Sequence, residues 1–239
     1  VEIHIDEKAP HRIRVRGVVH ERLFYGPKLK LITEVSTEPG SSEFRISDSV
    51  TNEGAFNQEF QLIYHGNFGA PLLGQGAKVH VAAKQIAPMN EHAGKAIDNW
   101  ATYNEPTKGF IEEVYLFEPL ADSANLTKAV LQNRDGSKGV SMQWSTAELP
   151  YLTVWKNTAA TADGYVTGIE PATGYPFNRS VERAAGRLPK LAAGATRSFT
   201  LDFALHSGAR AVRTAVKSVL KLQGDTKLDV QRKPQVAPH

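Results

Sequence analysis

Glu43-Phe44-Arg45-Ile46-Ser47-Asp48-Ser49-Val50 alternates polar and apolar residues with period two. That is the pattern of a strand with one face on a core and one in water. The same rhythm runs outward from it. Ile3-His4-Ile5 and Ile13-Arg14-Val15-Arg16-Gly17-Val18-Val19 precede it, and Leu29-Lys30-Leu31-Ile32-Thr33-Glu34-Val35 follows Gly26-Pro27. Further strands are expected over 60–64, 78–82, 112–117, 126–132, 140–144, 151–155, 165–170 and 197–205. Gly, Pro, Asn and Asp clusters separate them, as turns require. Many short strands at this spacing predict an all-β antiparallel sandwich.

One helix is expected, from Ala209 to Leu222. Ser207-Gly208 opens it and Gly224 ends it. Val212, Val216, Val219 and Leu220 share one face, beside a basic row of Arg213, Lys217 and Lys221. The narrow apolar face, without aromatics, predicts packing on the domain rather than on a membrane surface. The 239 residues are read as one unit: a sandwich over 1–206, a helix over 207–224 and a disordered tail over 225–239.

The net charge of +3 is uneven. Seven Lys or Arg face two Asp from Arg210 onward, leaving 21 basic and 23 acidic residues before it. A near-neutral body with a basic tail argues against a nucleic-acid partner. No apolar run is long enough to cross a bilayer. With no cysteine, disulfide and thiolate chemistry are excluded. The charged, alternating N-terminus is unlike a signal peptide, and a cytoplasmic location is expected.

The candidate chemistry lies in two segments. Leu62-Ile63-Tyr64-His65-Gly66-Asn67-Phe68-Gly69-Ala70-Pro71 sets an imidazole between aromatics, with Asn67 as a polar neighbour and glycines that admit a ligand. Tyr165-Val166-Thr167-Gly168-Ile169-Glu170-Pro171 ends a strand on a carboxylate at a sheet rim. Arg179 and Arg183 follow, free either to bind hydroxyls or to pair with Glu182. Glu112 and Glu113 are adjacent in a strand, so at most one of them enters a cleft. A pair of carboxylates such as Glu112 and Glu170 also suits a glycosidase. Trp144 and Trp155 could stack on a sugar, but burial in the sandwich core is the expectation. The histidines lack metal-ligand spacing, and no HExxH, P-loop or GxGxxG occurs.

Four blocks together resemble the aldose 1-epimerase (galactose mutarotase) superfamily, and in particular its uncharacterised aldose 1-epimerase family branch. They are Asp48-Ser49-Val50-Thr51-Asn52-Glu53-Gly54, Tyr64 to Leu73, Gly109-Phe110-Ile111-Glu112-Glu113-Val114, and Leu149-Pro150 with Trp155-Lys156 joined to Tyr165 to Pro171. The resemblance implies an antiparallel supersandwich and an isomerase that interconverts sugar anomers without cofactor or metal. It implies His65 as general acid and Glu170 as general base, lining one cleft about one sugar ring apart. It implies Glu112 as a residue that binds a sugar hydroxyl, and Asn67, Tyr64 and Arg179 are the further candidate substrate-binding residues. The alternatives are a non-catalytic carbohydrate-binding protein and a glycoside hydrolase or lyase. The family's N-terminal half carries an arginine and a second histidine with no counterpart here, and the chain opens on Val1. The expectation is therefore the C-terminal portion of the family domain, with an open sheet edge covered by an N-terminal fragment or a second copy.

Overall fold

The computed structural model describes residues 1–234. In chain order the strands are β1 (Glu2–Ile5), β2 (Ile13–Arg22), β3 (Lys28–Thr37), β4 (Glu43–Asn52), β5 (Gln58–Glu59), β6 (Gly66–Phe68), β7 (Lys78–Val81), β8 (Ala83–Pro88), β9 (Glu113–Pro119), β10 (Leu126–Gln132), β11 (Lys138–Ser145), β12 (Tyr151–Asn157), β13 (Val166–Ala172), β14 (Lys190–Leu191), β15 (Thr196–Ser207) and β16 (Asp229–Val230). The α-helices are α1 (Glu91–Lys95), α2 (Arg179–Ala184) and α3 (Ala209–Gln223). One sheet has eight strands in the order β1-β2-β3-β4-β15-β11-β10-β7, and a second has six in the order β16-β8-β9-β12-β13-β6. All neighbours in both are antiparallel except β16 and β8.

The inner faces of the two sheets make the core. Met142, Trp144, Phe199 and Leu201 come from the eight-stranded sheet, and Tyr115, Phe117, Leu152, Val154 and Ile169 from the six-stranded one. Each large side chain buried here contributes roughly 1.5–3 kcal/mol of transfer free energy. Trp144 is a core residue, with its indole N–H donating to the Leu149 carbonyl. Lys156 and Glu113 also point inward and are buried. Lys156 Nζ donates to the carbonyls of Asn99 and Thr102 and lies 3.3 Å from Glu113 Oε2. Burial lowers the lysine pKa, and Glu113 partly offsets that. This knot fastens the 99–102 turn under the six-stranded sheet.

The inner face of the eight-stranded sheet runs past its partner layer. Cross-strand register puts Ile3, Val15, Val35 and Ile46 in one row leading from the core to the β1 edge. Ile3 is 72% and Val19 56% exposed on that row's face. An open edge at the N-terminal strands was expected from the sequence, and β1 is such an edge.

α3 runs one residue further than expected and packs on the outer face of the eight-stranded sheet. Val212, Ala215 and Val219 are buried, with Ala215 and Val219 against Val130 and Ala82. Leu220, expected on this face, is exposed and Ala215 takes its place. Among the described residues no helix is long and apolar enough to cross a membrane.

The tail differs from the disordered segment expected over 225–239. Asp229–Val230 adds a parallel strand to β8, Gln231 N–H donates to the Ile86 carbonyl, and Arg232 pairs with Asp98. The β8 edge would otherwise present unpaired backbone, and the tail satisfies it. The last five residues of that segment, 235–239, lie outside the described residues. The strand expected over 60–64 is also absent as a regular element. Only an isolated bridge, Ile63 to Ala172, joins it to β13.

Candidate active site

The site lies on the outer face of the six-stranded sheet. Register alone selects its members. Trp155 of β12 pairs with Gly168 of β13, and Thr153 pairs with Glu170. Asn67 of β6 pairs with Gly168 from the other side. Residues paired across strands share a face, so Asn67, Gly168, Trp155, Thr153 and Glu170 all point away from the core. Ile169 and Val154, one position along, point into it.

Glu170 is not the strand-end residue the sequence suggested. β13 continues through Pro171 to Ala172, and Glu170 is 4% exposed within it. Proline is tolerated because its neighbour here is the 62–64 segment, whose Tyr64 N–H donates to the Pro171 carbonyl and asks no donor in return.

His65 follows in that extended segment and turns outward onto the carboxylate. Its Nε2 lies 3.0 Å from Glu170 Oε1. The ring nitrogen does not meet Oε1 in hydrogen-bond alignment, and Oε1 is buried without another partner. Nδ1 donates to Asn67 Oδ1 at 2.8 Å. The imidazole meets the Trp155 ring edge-on, with centroids 5.5 Å apart. Trp155 is itself held by its indole N–H, which donates to Glu112 Oε2 at 2.6 Å. The imidazole side chain is 51% exposed and the carboxylate 5%. The acid candidate is therefore open to solvent, while the base candidate is shut away from it.

Burial raises the Glu170 pKa to about 7. The His65 charge opposes that shift and the Glu112 charge adds to it. The carboxyl thus takes up and releases its proton near neutral pH, as a general base at this site must. Thr153 Oγ1, across the strand from Glu170, is likewise buried without a hydrogen-bond partner. Leu116, Val114 and Tyr175, with Tyr151 and Phe177, extend the same face as an apolar floor. The loop after β13 is anchored by Glu182, which is fully buried and accepts from Arg187 and from the Tyr175 N–H.

Of the sequence candidates, the structure brings together His65, Glu170, Asn67 and Glu112. His65 and Glu170 share a face as expected, but they touch rather than stand a sugar ring apart. Asn67 spends its oxygen on His65. Tyr64 points the other way, because neighbours in an extended segment alternate. Its hydroxyl donates to Asp48 Oδ2 at 2.8 Å, and burial and that carboxylate raise its pKa. Arg179 is exposed at the start of α2, where it and Arg183 flank Glu59. Arg183 pairs with Glu59 rather than with Glu182. Trp155, read as core, lies at the site instead. Gly168 and Thr153 were not singled out, although their place two residues and one strand from Glu170 marks them.

A cavity of about 420 Å³ opens on the outer face of the other sheet, among Arg45, Lys128, Gln143 and Asp202. None of its lining residues belongs to the His65–Glu170 cluster, and the chemistry places the candidate site at that cluster. Among the described residues no three His, Asp or Glu side chains converge as metal ligands would.

Comparison with known proteins adds the family. A model described as Domain of unknown function (DUF4432) matches residues 1–205. No curated protein matches the chain. The crystal structure of a candidate aldose 1-epimerase from Klebsiella pneumoniae superposes with a TM-score of 0.97 at 38% identity, covering 99% of this chain and 62% of that one. A galactose mutarotase-like protein from Clostridium acetobutylicum gives 0.59 at 14% identity, covering 87% and 65%. The Slr1438 protein from Synechocystis sp. PCC 6803 gives 0.58 at 16%, covering 86% and 65%. The chain thus spans under two thirds of each of these relatives. It is a member of the DUF4432 family, carried on the galactose mutarotase-like fold.

Proposed function

We propose that the chain carries the acid–base half of a sugar-anomer isomerase, with Glu170 as base and His65 as acid. The observation that carries this reading is the contact itself: the exposed imidazole lies with its Nε2 3.0 Å from an oxygen of the buried carboxylate. Names of structural relatives that mention aldose 1-epimerase and galactose mutarotase support a sugar as substrate.

The sugar would enter between the two side chains, displacing the exposed imidazole. Glu170 in its anionic form takes the proton of the anomeric hydroxyl while the imidazolium gives its proton to the ring oxygen. The C1–O5 bond breaks as the C1 carbonyl forms, leaving an open-chain aldehyde. Rotation about C1–C2 presents the other face. The O5 hydroxyl then attacks C1, returning its proton to His65 as Glu170 returns its own to O1. The pair begins and ends with one proton. Trp155, held by Glu112, offers an aromatic edge beside the ring. Thr153 and Glu170 present oxygens still in want of a partner.

Polarimetry on freshly dissolved single anomers of a sugar panel tests this. His65→Ala should slow the approach to equilibrium by about two to four orders of magnitude, the usual weight of a positioned proton donor. Glu112→Gln should weaken sugar affinity more than turnover. Binding of a sugar without any acceleration would favour the carbohydrate-binding reading. Release of reducing ends from an oligosaccharide would favour the hydrolase.

A further inference from the structure

We propose that Asn67 and Gly168, which face each other across β6 and β13, are positioning residues for the His65–Glu170 pair. Asn67 fixes the imidazole tautomer, and Gly168 leaves the space the carboxylate fills. The inference rests on the acid–base reading only for its consequence in catalysis. Its geometry stands apart from it.

Gly168 lies inside a strand, where glycine costs roughly 0.5–1 kcal/mol against alanine and often marks a close approach. What it makes room for is Glu170. A Cβ at Gly168 would lie 2.2 Å from Glu170 Oε1 and 3.1 Å from its Cδ. The carboxylate therefore folds back along its own strand, over the bare Cα two residues away. That is the position from which Oε1 meets His65 Nε2 at 3.0 Å.

Asn67 acts on the other partner. Its amide oxygen only accepts, so the 2.8 Å contact with Nδ1 puts a hydrogen on that nitrogen. Neutral imidazole has one N–H. With that hydrogen on Nδ1, Nε2 keeps its lone pair for the proton it exchanges with Glu170, and that proton lies on the Nε2–Oε1 side alone. The opposite tautomer would set an Nδ1 lone pair against the amide oxygen and leave Nε2 unable to take a proton. The backbone of Asn67 is locked to β13 by the ladder, so the acceptor does not drift.

Long-range ¹⁵N–¹H NMR of the histidines reads the tautomer directly, with His65 assigned by its loss in His65→Ala. In the Glu170→Ala background at alkaline pH, where no carboxylate competes for Nε2, His65 should show N–H on Nδ1. Adding Asn67→Leu to that background should move the population to Nε2–H, and Asn67→Asp in its place should restore Nδ1–H. Nε2–H in the Glu170→Ala protein with Asn67 intact, or a tautomer unchanged by Asn67→Leu, overturns the role of Asn67. For Gly168, stability of Gly168→Ala is compared in the native and Glu170→Ala backgrounds. The loss, or failure to fold, should be confined to the background that keeps Glu170. Equal loss in both overturns the space argument. If the tautomer and stability results hold but no sugar is interconverted, the positioning stands and the isomerase reading fails.

Discussion

Replacing Glu170 by glutamine tests the electrostatics of the site without a substrate. Burial moves this carboxyl from an ordinary 4.5 to about 7. Between those values the folded protein holds the proton more tightly than the unfolded chain. Its contribution to stability is therefore complete below about pH 4.5 and is lost as pH rises through about 7. At about 1.4 kcal/mol per tenfold change in proton affinity, the span is worth up to about 3 kcal/mol. Glutamine keeps the shape and carries no charge at any pH. Glu170→Gln should therefore match wild type near pH 4.5 and exceed it in stability by up to about 3 kcal/mol at alkaline pH. Urea unfolding at the two pH values, with unchanged m-value, measures the difference. A gap that does not move with pH, or one that grows in favour of wild type on the alkaline side, would refute the claim that burial governs this carboxyl.

Two further predictions concern the scaffold under the site. Lys156→Met leaves Glu113 buried without its cation and should cost about 3–5 kcal/mol in unfolding free energy, much of it recovered in Lys156→Met/Glu113→Leu; denaturation of both variants decides whether the pair or the packing matters. Gly66→Ala would bring a Cβ to 2.6 Å from Met142 Cε and 3.0 Å from the Ile169 carbonyl. It should cost about 1–3 kcal/mol by overpacking, read as a lower melting temperature, and Met142→Ala in the same chain should relieve part of it.

The fold was legible because most strands announce themselves by alternation. β1 to β4, β9 to β13 and β15 all follow a period-two pattern or a short apolar run between turn residues. β16 could not be read that way, since two residues of it form only by pairing with the β8 edge. β8 itself contains a register shift between Ala83 and Gln85, which breaks the alternation. The site was legible in part. His65 and Glu170 stood out by residue type and by the resemblance. The alternation rule that separates Glu112 from Glu113 also separates Tyr64 from His65, and it puts the tyrosine on the core side. Trp155 was taken with Trp144 because both end apolar strands; only register shows that they face opposite ways. Glu170 was read as a rim residue because proline usually stops a strand, and that inference failed where the neighbouring chain needs only the proline carbonyl. The direct contact of acid and base could not be read from residues about a hundred positions apart.

The most direct test of the account is anomer exchange by NMR at equilibrium, on whichever sugar the wild-type protein interconverts, comparing it with Glu170→Gln. The amide keeps a hydrogen bond to the anomeric hydroxyl but cannot take its proton. The account predicts exchange slower by about two to four orders of magnitude with sugar affinity little changed. Undiminished exchange in Glu170→Gln would contradict it.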